Sequence, residues 1–254
     1  MSLVLVGLWL AAVGAGDLLR ASHDVVAWRR LGACLGVAGV VLLVGLVLLE
    51  PGLGRGFLLL LLLGALVAVW LATSTVALDP RRSPRERDLA RAGAFAALAL
   101  GALSSMLGVQ AIDSPLVWPG FLDRTIASRW PASDFMVALG VVAAQLVTAN
   151  IVVRLLLDAV GVPATSNEKQ LKGGRVLGPM ERIFIVGLGA LGELTAAAIV
   201  VAAKGLLRFP ELQRAQKQQT LPADGPSDVT EYFLIGSFAS WLLALGGAAL
   251  IYLA

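Results

Sequence analysis

Long apolar blocks, separated by short polar segments that carry arginine, organise the whole chain. Seven such runs occur: Leu3–Leu19, Leu31–Leu49, Gly56–Leu78, Ala92–Ile112, Phe135–Leu157, Ile183–Ala203 and Tyr232–Leu253. Most hold close to twenty residues. That is the length an α-helix needs to cross a hydrocarbon core of roughly 30 Å at 1.5 Å per residue. The pattern predicts an all-α polytopic transmembrane helix bundle of about seven helices. No long polar linker divides the chain, so residues 1–254 read as one transmembrane domain. The first run ends in small residues, Gly14 to Gly16, that resemble a cleavage site. It lacks the positively charged leading region of a secretory signal and reads as a retained helix.

Composition strengthens this picture. Hydrophobic residues make up 58% of the chain and charged residues only 15%, with a mean hydropathy of +0.84. A water-soluble domain carries about 25% charged residues to cover its surface. The single Cys34 lies inside an apolar run and cannot form an internal disulfide, so it reads as a small buried hydrophobe.

Cations in the short loops set the expected orientation. Loops one, three and five hold twelve: Arg20, Arg29 and Arg30; Arg81, Arg82, Arg85, Arg87 and Arg91; then Lys169, Lys172, Arg175 and Arg182. The even loops hold seven: Arg55; Arg124 and Arg129; Lys204, Arg208, Arg214 and Lys217. This predicts a cell (inner) membrane protein of a bacterium, with its N-terminus outside and its C-terminus inside. Loop six runs against the rule, with four cations on the exported side. The primary reading keeps Ile183–Ala203 as a span. The alternative lets it dip in and return, which Gly187, Gly189 and Gly192 would permit, placing loops five and six together.

Two loops have character. Asp113–Asp134 carries Trp118, Trp130, Pro115, Pro119 and Pro131, the composition of a segment at headgroup level or of a lid over a cavity. In Asp158–Arg182, Thr165 and Glu168 have capping-box spacing and Gly173–Gly174 suggests a helix stop.

Candidate chemistry centres on Glu193, eleven residues into the twenty-one of the sixth run. An ionised carboxylate at mid-bilayer costs roughly 2.5–3.5 kcal/mol even on the insertion scale. Its helical neighbours Gly189, Ala190, Ala196 and Ala197 are small, so it is expected to face the bundle. Gln145 and Thr148, about 18 and 14 Å from the inner end of the fifth run, match its depth of about 15 Å. A proton or cation site and a hydrogen-bonded packing residue are both open readings. Lys204 and Arg208 close the sixth run on one helical face, Glu181 and Arg182 open it, and Glu231 opens the seventh. They read as boundary anchors or as an anion site for a lipid phosphate. Gly236, Ser240, Ala244 and Ala248 form a small-residue ridge on the last run.

Several chemistries are argued against. The lone His23 excludes paired-histidine haem and histidine-rich zinc sites. No CxxCH, GxSxG, HExxH or P-loop motif occurs. No metal or cofactor is therefore expected, and no catalytic residue can be named.

The stretch from Leu171 to Ala248 resembles the C-terminal portion of an uncharacterised family of bacterial polytopic membrane proteins, a domain of unknown function. Gly174–Arg175, Gly178, Glu181–Arg182, Ala203–Lys204, Arg208–Phe209, Glu231–Tyr232, Gly236 and Ser240 carry the likeness. The resemblance implies a membrane bundle and no activity. It gives weight to Glu181, Arg182, Lys204, Arg208 and Glu231 beyond anchoring. The leading expectation is a non-enzymatic membrane protein that binds an anionic lipid or a partner membrane protein, another chain or its own copy, and no nucleic acid. The runner-up is a small transporter or channel using Glu193, and the third an enzyme acting on lipid headgroups.

Overall fold

The computed structural model describes residues 3–20, 27–49, 53–108, 116, 118, 129–162, 174–193, 195–203, 205–206 and 228–254. The elements of these residues are helical: α1 (Val4–Leu18), α2 (Trp28–Leu49), α3 (Leu53–Ala77), α4 (Pro84–Gly108), α5 (Ala132–Ala159), α6 (Gly174–Ala190), α7 (195–203) and α8 (Asp228–Tyr252). Five are long and apolar enough to cross a membrane: α2, α3, α4, α5 and α8. Helix α1 is apolar but shorter, at fifteen residues. The chain is a multi-pass, all-helical membrane protein, with five such helices where about seven spans were expected.

The helices gather into two compact units, residues 1–148 with 250–254, and residues 149–249. In the first, α1 is the centre. Twelve of its fifteen residues are buried, and its neighbours make room for it with glycine. A methyl group added at Gly101 of α4 would meet the Trp9 ring at 2.0 Å, and one at Gly45 of α2 would meet Leu8 at 2.1 Å. Against α5 the backbones themselves touch. A methyl at Gly140 would lie 2.0 Å from the Gly7 carbonyl oxygen, and one at Gly14 would lie 2.6 Å from the Ala143 carbonyl carbon. Lipid tails are as apolar as leucine, so helices in a membrane associate through this kind of close van der Waals fit. The pairings rise together along both chains, so α1 and α5 run parallel, while α2 and α4 run antiparallel to α1.

In the second unit α8 packs antiparallel to the last part of α5: Gly236 faces Val153 and Leu157, and Arg182 joins Ser240 to Asn150. Helix α6 runs parallel to α8, with Arg182 at Ser240 and Gly189 against Ala248. The small-residue ridge of α8 is used here, where Ser240, Ala244 and Ala248 are buried.

The sixth apolar run is not one helix. It is divided between the end of α6 and the start of α7, and the break is a complete Schellman motif. Gly192 takes φ +80°, its N–H donates to the Gly189 carbonyl at 3.0 Å, and the Glu193 N–H donates to the Leu188 carbonyl at 2.8 Å. Only glycine enters this left-handed region without a Cβ clash, which is why the helix stops here. The Glu193 carbonyl then accepts from the Ala197 N–H at 3.0 Å and starts the next helix. Helix α6 also begins nine residues before Ile183, running through Pro179, whose missing N–H removes one helical bond. Gly174 opens this helix, and Thr165 and Glu168 lie outside the described residues.

The α1–α5 seam yields a direct test. Gly140→Ala should lower stability by more than the 1–3 kcal/mol typical of overpacking, because the obstacle is backbone and cannot rotate away. Gly64→Ala and Gly36→Ala, which meet nothing within 4 Å, should be neutral. Monodispersity after a heating series, read by size-exclusion chromatography, separates the two classes.

Candidate functional site

Two buried polar clusters stand out, one in each unit. The first begins with an aspartate and an arginine at the end of α1. Asp17 is fully buried and Arg20 is 3% exposed. The Arg20 guanidinium holds Asp17 Oδ1 through Nε at 2.8 Å and Nη2 at 2.7 Å. Trp70 of α3 donates its indole N–H to the same carboxylate, at 3.0 Å to Oδ2 and 3.2 Å to Oδ1. Thr148 of α5 donates its hydroxyl to Oδ2 at 2.7 Å.

Helix α3 also serves the arginine. Ser74 donates to the Trp70 carbonyl and accepts from Arg20 Nη2 at 2.8 Å. Thr75 donates to the Leu71 carbonyl at 2.7 Å and accepts from Arg20 Nη1 at 3.0 Å. Back-bonding to the preceding turn aims the hydroxyl lone pairs away from their own helix and toward the guanidinium. The guanidinium carbon lies 5.9 Å from the centre of the Trp70 ring. Positive and negative charges balance, and the carboxylate accepts from three side chains. The cluster is a closed clasp.

Thr148 reaches this cluster from a π-helical stretch, Ala144–Thr148. Such a stretch adds a residue to one turn and re-aims the side chains that follow. It buries both Gln145 and Thr148. Sequence reasoning paired these two with Glu193; the structure gives Thr148 to Asp17 instead.

The second cluster is built on Arg182. This side chain is 2% exposed; its Nη1 donates to Ser240 of α8 at 3.0 Å and its Nη2 to Asn150 of α5 at 2.6 Å. Gly178, one turn earlier, leaves the space: a methyl there would sit 3.4 Å from Arg182 Nη1 and 3.5 Å from Asn150 Oδ1. Because α6 begins at Gly174, Arg182 occupies its middle rather than a helix boundary. Ser240 is likewise central in α8, about 18 Å from either end at 1.5 Å per residue. Glu181 is partly buried beside it, and Glu231 is partly buried in the first turn of α8.

Glu193 moves the other way. It follows the helix break, is exposed, and lies beyond the level at which Gly189 meets Ala248, near the end of α8. A mid-helix position facing the bundle required an unbroken sixth helix, and Gly192 removes that. Lys204 and Arg208 lie outside the described residues. Among the described residues no group of three or more His, Cys, Asp and Glu side chains is placed to hold a metal ion.

Sequence reasoning missed Asp17, Arg20, Trp70, Ser74 and Asn150. The available signal was a carboxylate inside the first apolar run with an arginine three residues on. Trp118, in the fourth loop, donates its indole N–H to the Trp130 carbonyl at 2.8 Å and meets Phe135 edge-on at 5.1 Å. No family model, curated protein or solved structure matches this chain.

Removing one member of a buried ion pair leaves an uncompensated charge, at a cost of about 3–5 kcal/mol. Asp17→Asn and Arg20→Gln should each destabilise on that scale, and the double variant should recover part of the loss. A double-mutant cycle in thermal stability measures the coupling; additive losses would show that the pair is not coupled. Glu193→Gln, at an exposed position, should leave stability unchanged in the same assay.

Proposed function

We propose that this chain is a non-enzymatic integral membrane protein that retains an anionic lipid beside its last helix. The carrying observation is a groove of about 720 Å³ along α8. Val152 and Leu156 of α5 and Phe233, Phe238, Trp241 and Leu242 of α8 form its walls, with one hydroxyl, Ser237, among the lining residues. Such a wall suits an acyl chain and offers nothing to a polar cargo.

Apolar contact alone distinguishes no lipid from its neighbours, since the bilayer offers the same environment. Selective retention therefore has to come from the headgroup. Lys204 and Arg208 belong to loop six, which leads to α8, and Glu231 lies two residues before the groove lining begins at Phe233. This reading assigns the two cations to a lipid phosphate and Glu231 to their orientation. A bacterial inner membrane is the setting proposed. The transporter reading depended on Glu193 inside the bundle, and an exposed carboxylate at a helix break gives it no support.

Native mass spectrometry of the gently purified protein tests the proposal. Each cation at an anionic surface contributes about 1 kcal/mol, so Lys204→Gln with Arg208→Gln should reduce retained anionic lipid roughly tenfold or more. Unchanged lipid in a well-folded double variant would reject the site. Retained protein subunits in place of lipid would assign the groove to a partner chain.

A further inference from the structure

We propose that α6 and α7 form a helical hairpin that enters and leaves the membrane at one face, with Glu193 at its far tip. Chain direction carries the argument. Helix α8 is antiparallel to the end of α5, so Ala159 and Asp228 belong to the same face of their unit. The chain between them must leave that face and come back. Helix α6 makes the outward leg, parallel to α8 from the level of Ser240 to that of Ala248. The Schellman turn at Gly192 ends it and α7 begins the return. A single span over Ile183–Ala203 would instead require α8 to run parallel to α5.

The hairpin accounts for two facts that a single span leaves in conflict. Glu193 becomes an exposed carboxylate at a membrane boundary, where its charge meets water. Loop six joins loop five, and the cations fall into order. With the buried Arg20 and Arg182 set aside, the hairpin topology assigns fourteen Lys and Arg residues of loops one, three, five and six to one side of the membrane, against Arg55, Arg124 and Arg129 on the other. Cationic loops gather on the cytoplasmic side. The C-terminus then lies on the side of the N-terminus, opposite to the expectation from seven spans.

Single cysteines in a Cys34→Ala background, probed with an impermeant maleimide in intact cells and in inside-out vesicles, decide the matter. Val160→Cys and Leu206→Cys should label only in inside-out vesicles, and Glu193→Cys only in intact cells. Opposite sidedness of positions 160 and 206 overturns the hairpin. Labelling of position 193 from the same side as position 160, or from neither side, overturns its full depth. Should a loop variant fail to accumulate, Leu253→Cys gives an independent reading. The hairpin puts position 253 on the outer side, and a single span puts it inside.

Discussion

A charge in hydrocarbon must carry its solvation with it, and the Asp17–Arg20 pair shows how much structure that demands. The pair takes donors and acceptors from α1, α3 and α5. Each partner fixes a rotation and a height. Trp70 can reach Asp17 only if α3 presents that face at that depth, and Thr148 only if α5 carries its π-helical stretch. A buried ion pair is weak evidence for stability, since apolar replacements of similar volume often do as well. Its contribution here is register. The glycine contacts around α1 already limit sliding, because a Cβ at Gly140 or Gly101 would clash. The carboxylate and its partners fix the same register a second time, through polar atoms.

The same requirement shapes the second unit with different means. Arg182 has neutral partners in Asn150 and Ser240, brought from two helices to one guanidinium, and a glycine one turn away to admit it. The small-residue ridge of α8 thereby has two uses. Ala248 lets α6 approach closely at Gly189, and Ser240 supplies the acceptor that makes an arginine tolerable midway along the helices. Close packing and polar satisfaction are here one design.

Much of the fold was legible because hydropathy over about twenty residues is a property of the lipid as much as of the protein. The runs that became α2, α3, α5 and α8 lie within four residues of their expected bounds for that reason. Helix α4, in contrast, starts at Pro84, eight residues before Ala92, and takes in Arg85, Arg87 and Arg91 of the expected third loop. The sixth run was misread because a hydropathy average cannot distinguish a continuous helix from two helices joined by a turn; what decides is the φ of Gly192. That angle takes Glu193 from the middle of a helix to its end. Arg182 enters the middle of α6 for a separate reason, because the helix starts at Gly174, nine residues before the apolar run. Asp17 and Arg20 were missed for a related reason. A carboxylate near the end of an apolar run looks like a loop residue until the partners from α3 and α5, more than fifty and a hundred positions away in the chain, are brought to it.

Glycine at Gly192 consequently has more effect on topology than the charges near it. Were the position to prefer the right-handed helix, the sixth run would be continuous, Glu193 would face hydrocarbon or a partner, and loop six would carry its cations to the exported side. Each of those outcomes costs free energy: an unpaired carboxylate at depth, and basic loops on the wrong face. In the proposed hairpin the break avoids both at once, because the chain returns to the side it came from. Local backbone chemistry and long-range electrostatics thus select the same arrangement. That agreement, rather than either feature alone, is why a hydrophobic run long enough to cross the membrane is divided between two helices.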